Sequence, residues 1–287
     1  RGANIGAMVA TNNFQRKVYA DDLNVEQTIK QMLAKQIDIL IGIEPGQGTR
    51  ENVTRTKNKI RSYGFAAVVT TRDGTTRGGG IIVILSPKWA KLQTRLTVFN
   101  PDNWELRGRA LAMVLENKTK GMHNKLQVIA MHGINNAGSN KEDAREIVRW
   151  IGKQKREFES QNPLATTVLA GDINAALSTW MDTDKHLSGA VIRQGDRETD
   201  AFVIEEIEQM GLVDIFRNKF PITRAVTRTS NTDTNRFLDR IFATAETATH
   251  YATGIAIHKK DLIDAGSDHL MIVADIPIDT AGIAIHR

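Results

Sequence analysis

The chain has 287 residues, of which 41% are hydrophobic and 25% are charged. These proportions are typical of soluble globular proteins and exclude collagen-like, coiled-coil and largely disordered chains. Lys and Arg number 38 against 33 Asp and Glu, so the formal net charge is +5. This mild basic bias is compatible with an anionic partner but does not require one.

The sequence contains no cysteine, which excludes disulfide bonds, thiolate metal sites and a cysteine nucleophile. This composition suits a reducing compartment, and we expect an intracellular protein. The longest aliphatic run, 81–85, is far too short to cross a bilayer. The sequence starts at Arg1 and no secretion signal opens it, so we expect a single domain, 1–287, excised from a longer polypeptide.

Short apolar, β-rich runs alternate with amphipathic segments over nearly the whole chain. Strands are predicted at 5–10, 38–43, 65–70, 81–85, 96–99, 110–116, 126–132, 166–170, 225–229, 236–243, 251–257 and 270–275. Helices are predicted at 25–35, 52–61, 141–158 and 199–210, with Gly211 closing the last of them as a C-terminal cap. Many neighbouring strands are joined by short turns, which favours antiparallel sheets covered by helices.

Four segments place carboxylate, amide or imidazole groups at the ends of predicted strands. The candidates are Glu44, Asp172, Asn174, Asp239, Asp268 and His269. Carboxylate and amide oxygens suit Mg²⁺ or Mn²⁺ better than zinc, and a histidine beside them can contact a phosphate or transfer a proton. Together these groups indicate metal-assisted hydrolysis of a phosphate ester. The alternative is that each is a solvated strand end without a function.

At these residues the sequence resembles the endonuclease/exonuclease/phosphatase superfamily, which includes pancreatic deoxyribonuclease and the exonuclease III-type abasic endonucleases. Residues 171–174 match the family pattern Gly-Asp-x-Asn, 239–241 match Asp-x-Ile, and 267–269 match Ser-Asp-His. Glu44 falls where the family has Gln-Glu, although Ile43 replaces the Gln. The matches occur in the family's order over essentially the whole chain.

The resemblance implies an α+β fold, a four-layer αββα sandwich of two mainly antiparallel sheets with the active site at one rim. It also implies that Glu44 is the principal ligand of a Mg²⁺ or Mn²⁺ ion. Asp268 would assist, together with the Asn that ends the first strand. That residue is Asn12 or Asn13, and we assign Asn12.

The same resemblance implies roles for the catalytic residues. Asp172 would orient or deprotonate the attacking water, and Asn174 would position it. His269 would contact the scissile phosphate and be held in place by Asp239.

A further element ends the predicted strand 126–132. Deoxyribonuclease relatives have a catalytic His there, whereas abasic endonucleases have a Tyr followed by a Pro-Asn turn. His132 and the turn after it mix the two patterns. We assign His132 as a second acid/base group or phosphate contact and Asn136 as a phosphate ligand. The alternative is a strand-end His followed by a polar turn.

The fold of this superfamily does not determine the substrate. Two basic segments, 50–61 and 217–240, favour nucleic acid, although each could be a solvated face. The segment 77–83 resembles one found in non-LTR retrotransposon endonucleases. The residues assigned to substrate binding are Arg77, Arg228 and Arg236.

We therefore predict a monomeric, metal-dependent phosphodiesterase that nicks double-stranded DNA. It would resemble the target-nicking domain of a retrotransposon or an abasic-site endonuclease, and would act in the nucleus if its parent is a eukaryotic retroelement. One alternative is an inositol or lipid phosphate phosphodiesterase of the same fold. The other is a non-catalytic module that binds nucleic acid.

Overall fold

The computed structural model describes residues 6–15, 18–19, 21–71, 80–117, 124–135, 137–177, 182, 200–223, 225–228, 236–251, 254–258 and 269–277. The strands of this part of the chain are β1 (Gly6–Asn13), β2 (Ile39–Ile43), β3 (Ala66–Thr71), β4 (Gly80–Leu85), β5 (Gln93–Val98), β6 (Ala110–Asn117), β7 (Asn124–His132), β8 (Thr166–Asp172), β9 (Leu212–Asp214), β10 (Asp239–Thr244), β11 (Gly254–His258) and β12 (Met271–Pro277). Its α-helices are α1 (Asp22–Ala34), α2 (Arg50–Ser62), α3 (Pro87–Ala90), α4 (Lys141–Gln161), α5 (Phe202–Gln209) and α6 (Ile215–Lys219).

These strands form two six-stranded sheets. The first has the order β11-β12-β1-β2-β4-β3 and the second β5-β6-β7-β8-β10-β9. Of the pairings seen in the described residues, β1–β2 and β7–β8 are parallel and the others are antiparallel. Each parallel pair brings two strand ends together: Asn13 lies opposite Ile43, and His132 lies opposite Asp172.

Three buried apolar clusters separate four layers. One fills the space between the sheets, with Val9 from the first sheet and Val128 from the second. A second packs α1 and α2 on the outer face of the first sheet, and a third packs α4 and α5 on the outer face of the second. The predicted αββα sandwich of mainly antiparallel sheets is confirmed.

Local sequence explains where the helices begin and which faces they bury. The Asp21 carboxylate accepts a hydrogen bond from Asn24 N (2.8 Å) at the start of α1, and Thr49 Oγ1 accepts one from Asn52 N (3.2 Å) at the start of α2. In α4, the buried residues recur at helical spacing against the second sheet. None of the helices in the described ranges combines the length and apolarity needed to cross a membrane.

Several predicted boundaries differ from the structure. In 225–228, part of the strand predicted at 225–229, the structure has an isolated β-bridge at Arg228 rather than a strand. The sequence did not indicate β9 or α6, because three and five residues are too short to show a periodicity. The glycine cap is confirmed, since Gly211 has φ +80° and its N–H donates to Glu208 O (2.8 Å).

Candidate active site

A polar cavity of about 410 Å³ opens at one rim of the sandwich, where strand ends from both sheets meet. The ends of β1, β2 and β8 contribute to it, together with the segments preceding β10 and β12. The residues that line it are Asn13, Gln15, Glu44, Asn135, Asp172, Asn174, Arg228, Arg236, Leu238 and His269. The structure therefore brings together groups that are far apart in the sequence.

The backbone at this rim adopts conformations that non-glycine residues rarely adopt. Glu44 has φ +50° and Asn174 has φ +54°. The 132–135 and 172–174 segments also lie in close contact, because a Cβ atom on Gly133 would come within 1.9 Å of Ile173 O. Asn174 Nδ2 donates to Gly133 O across this contact (3.1 Å). Such strain clusters at functional sites, where the surrounding structure holds it in place.

Asp172 is the central buried carboxylate of the cavity. Its Oδ2 accepts a hydrogen bond from Asn13 Nδ2 and its Oδ1 accepts one from Asn174 N, both at 3.0 Å. Burial is the main cause that raises the pKa of Asp172 to about 6, and the charge of Asp239 adds to it. The nearby His269 and the two hydrogen bonds oppose this shift only in part. Asp172 can therefore accept a proton near neutral pH.

His269 and Asp239 form a buried pair next to Asp172. His269 Nδ1 lies 2.7 Å from Asp239 Oδ2, and His269 Nε2 lies 3.9 Å from Asp172 Oδ2. Thr227 organises this pair, since its hydroxyl accepts from Asp239 N (2.9 Å) and its carbonyl accepts from Leu270 N (2.5 Å). No sequence motif indicated Thr227, because its partners lie on two other segments.

Glu44 contacts His132 at the other side of the cavity, with 3.4 Å between Glu44 Oε1 and His132 Nε2. The Glu44 side chain is 22% exposed, whereas the His132 side chain is buried. Arg109 supports this strand end, because its Nη1 donates to Gly133 O (2.9 Å) and its carbonyl accepts from His132 N (2.8 Å). No pattern in the sequence indicated Arg109, since this contact depends on the pairing of β6 with β7.

The structure places Asn13, rather than the assigned Asn12, in the cavity lining. Both asparagines are buried, and the Asn13 side chain contacts Asp172. Successive side chains of a strand point to opposite faces, so only one of the two can face the site. Asp268, Asn136 and Arg77 lie outside the described residues.

Two arginines reach the cavity from a hairpin-like pairing. Arg228 N donates to Arg236 O (2.8 Å) and Arg236 N donates to Arg228 O (3.0 Å), while Arg228 also forms a β-bridge with His269. Both arginines line the cavity. They place two positive charges beside a group of carboxylates, which suits a phosphate ligand.

The first basic segment lies elsewhere, on α2. There an open groove of about 860 Å³ is lined by residues of α2 and by Asp22 of α1. Two of its basic side chains already pair with α1: Arg55 with Asp22 (3.6 Å) and Lys59 with Glu26 (3.8 Å). This groove contains none of the candidate catalytic residues.

The donor groups of the cavity suit a hard divalent cation. Glu44 and Asp172 place two carboxylates in the cavity wall together with the Asn13 side chain. Asp172 also belongs to a buried group with Asp239 and His269, whose possible ligand atoms lie within 4.8 Å of one another. These carboxylates, with the amide of Asn13, form a set of mainly oxygen donors. The residues present therefore fit Mg²⁺ or Mn²⁺.

No family model and no curated protein sequence matches the chain. Several solved structures, in contrast, are similar to it over nearly its whole length. The AP endonuclease LMAP from Leishmania major aligns with a TM-score of 0.70 at 18% identity, covering 95% of this chain and 88% of that one. The 3' phosphatase NExo from Neisseria, bound to a product DNA hairpin, aligns with a TM-score of 0.68 at 16% identity, covering 94% and 99%. The endonuclease domain of TRAS1, a telomere-specific non-LTR retrotransposon, aligns with a TM-score of 0.55 at 16% identity, covering 96% and 98%.

These similarities extend over nearly the full length of each chain at low sequence identity. They therefore concern the fold as a whole rather than a single segment. The chain thus has the deoxyribonuclease I-like fold that these structures share.

Proposed function

We propose that the chain is a divalent-metal-dependent phosphodiesterase that nicks double-stranded DNA, as a retrotransposon target-nicking or abasic-type endonuclease would. One observation carries the proposal: the buried Asp172 shares a polar cavity with the His269–Asp239 pair, with Glu44 and with two arginines. The cavity offers a proton acceptor, a group that can bear a positive charge, and cations for a phosphate. The similar structures include two endonucleases and a phosphatase bound to DNA.

Each of the cavity residues has a separate role in the proposed hydrolysis. Asp172 takes a proton from the water that attacks the phosphorus, and the Asn174 side chain orients that water. As the new P–O bond forms, the bond from phosphorus to the leaving sugar oxygen breaks, and that oxygen takes a proton from solvent. His269, held in place by its contact with the Asp239 carboxylate, donates a hydrogen bond to a non-bridging oxygen of the phosphate. His132 contacts Glu44 and holds that carboxylate at the cavity wall.

A divalent cation would be held by Glu44, with Asn13 beside it and with Asp268 as the further ligand that the family resemblance implies. When bound, it supplies positive charge that stabilises the charge developing on the phosphate and on the leaving oxygen. Mg²⁺ needs few protein ligands, because waters and phosphate oxygens complete its coordination.

Glu44→Gln is expected to raise the Mg²⁺ concentration that gives half-maximal nicking by at least about tenfold. The reason is that even residues that only hydrogen-bond to a metal ligand contribute about 10–100-fold to metal affinity. The measurement is nicking of supercoiled plasmid over a Mg²⁺ titration, with EDTA expected to abolish the activity.

Glu116→Gln is the matched control, since Glu116 does not line the cavity and pairs with Lys125 of the neighbouring strand β7. Nicking that persists in EDTA, or an unchanged Mg²⁺ requirement in Glu44→Gln, would contradict the metal site. Robust hydrolysis of inositol phosphates without nicking would favour the lipid-type alternative, and DNA binding without hydrolysis would favour the non-catalytic module.

Arg228→Ala and Arg236→Ala are expected each to weaken binding to duplex DNA and to reduce the salt dependence of that binding. Each lost phosphate contact lowers the slope of log K against log salt by about 1. The measurement is fluorescence anisotropy with a labelled duplex in EDTA. Arg149→Ala on the exposed side of α4 is the control, and an equal effect there would show that only net charge matters.

A further inference from the structure

A buried cluster of four charged side chains lies behind the candidate active site. Arg240 Nη1 is 2.5 Å from Asp214 Oδ2 and Arg240 Nη2 is 2.6 Å from Asp182 Oδ2. Arg217 Nη2 donates to the other oxygen of Asp182. All four residues are buried, and none of them lines the cavity.

Arg240 directly follows Asp239 in β10. Because successive side chains of a strand face opposite sides, Asp239 faces the active site while Arg240 faces away from it. The Arg240 guanidinium lies over the ring of Phe237 at 4.5 Å from the ring centroid, and its Nη2 donates to Phe237 O (3.3 Å). Arg240 is thus fixed to the chain that leads into Asp239.

Asp182 connects this chain to the segment that carries Asn174. Its Oδ2 accepts from Leu177 N (2.7 Å), and its carbonyl accepts from Phe237 N (2.8 Å). Ile173 N also donates to Leu238 O (2.9 Å), next to the same contact. The Arg240–Asp182 pair therefore joins the segment after β8 to the segment before β10.

The cluster is not explained by stability alone. Apolar side chains of similar volume would fill the same space at no greater energetic cost, because taking charges out of water offsets most of their attraction. What the charged side chains add is a defined orientation of the groups that they join. The planar guanidinium of Arg240 holds two carboxylates at once, which a lysine ammonium or an apolar side chain cannot do in this geometry.

We propose that Arg240 is a positioning residue of the reaction: through Asp182 and β10 it fixes Asn174 and Asp239 relative to each other. This inference rests on the proposed nuclease function. Asn174 follows β8 and Asp239 begins β10, two paired strands of the second sheet, and the spacing of the two residues sets the distance between the attacking water and His269.

Arg240→Met is expected to lower kcat for plasmid nicking by about 100-fold with KM within about twofold, because small displacements of catalytic groups have effects of this size. Arg240→Lys, which retains one of the two ion pairs, is expected to recover about a tenth of the wild-type kcat. Lys155→Met is the matched control, since Lys155 is a similarly buried cation that pairs with Glu159 on α4 (2.7 Å). The control is expected to lower thermal stability without changing kcat.

Hydrogen exchange of the metal-free protein gives a readout that does not depend on activity. In Arg240→Met, peptides covering 173–177 and 236–240 are expected to exchange at least about tenfold faster, while those in α1 and α2 stay unchanged. If Arg240→Met does not fold, Asp182→Asn supplies the same test, because it removes the charge and keeps the acceptor for Leu177 N.

The two hypotheses can fail separately. A wild-type chain that does not nick DNA would refute the proposed function, while hydrogen exchange would still test whether Arg240 joins the two segments. An unchanged kcat in Arg240→Met, or faster exchange spread over the whole molecule, would overturn the positioning role.

Discussion

Asp172→Asn is expected to abolish nicking and, at the same time, to stabilise the folded protein. Removing a general base costs about 10²–10⁴-fold in rate. The stability gain follows from the raised pKa, because a group that titrates near 6 when folded and near 4 when unfolded makes folding less favourable at neutral pH. Two pKa units correspond to about 3 kcal/mol, so we expect a gain of about 1–3 kcal/mol at pH 7.

The pH dependence of the stability difference between the wild type and Asp172→Asn tests the sign of this effect. Above pH 6 the folded wild-type chain carries a buried charge that the Asp172→Asn variant lacks, so the difference between the two proteins is largest there. Below about pH 4 Asp172 is protonated in both the folded and the unfolded chain, and the difference disappears. Urea unfolding in EDTA from pH 4 to pH 8 measures this difference without a bound metal.

Asp102→Asn is the control, since Asp102 is exposed on the β5–β6 connection, and it should leave both stability and nicking unchanged. The wild-type nicking rate should also rise with pH and level off at or below pH 6, because a bound cation favours the carboxylate. A variant Asp172→Asn that is less stable than the wild type at pH 7 would contradict the assignment of a raised pKa.

The second large effect is expected at the His269–Asp239 pair. His269→Gln keeps a hydrogen-bond donor towards Asp239 but cannot carry a positive charge, so kcat should fall by about 10²–10³-fold. Asp239→Asn should have a similar effect, because it removes the carboxylate that contacts His269 Nδ1 at 2.7 Å and orients the imidazole. Single-turnover nicking at saturating Mg²⁺ measures both variants.

The double variant distinguishes a shared role from two separate ones. Groups that act as a unit are not additive, so His269→Gln/Asp239→Asn should be about as slow as the slower single variant. Thermal unfolding of each variant controls for loss of the fold. Multiplicative effects of the two changes would show that Asp239 acts independently of His269.

The sequence predicted the polar groups at strand ends better than it predicted the residues that hold those groups in place. Asp172 and Asn174 come at the end of an apolar run and His269 comes just before one, each within a short motif, and such local patterns are visible without a structure. The choice between Asn12 and Asn13 required the exact strand register, because a shift of one residue turns a side chain to the opposite face. The predicted strand boundary left this register open.

The supporting residues depend on pairings between distant segments. Arg109 meets the carbonyl of Gly133 across β6 and β7, and Asp182 meets Arg240 across 58 positions. No local pattern encodes these contacts, and isolated Asp or Arg residues are common on surfaces. The alternation of strands and amphipathic helices predicted sheets covered by helices, whereas the four-layer αββα arrangement was implied by the family resemblance of the motifs.

The hydrogen bond between Asn13 and Asp172 joins residues 159 positions apart, and it has a consequence for folding. Contacts between distant residues form slowly, because a long loop must close before they contribute any stability. The site is therefore expected to become competent only once both sheets have docked, so recovery of nicking after dilution from denaturant should lag behind recovery of secondary structure. For the same reason, a fragment that lacks either sheet should contain no partial site.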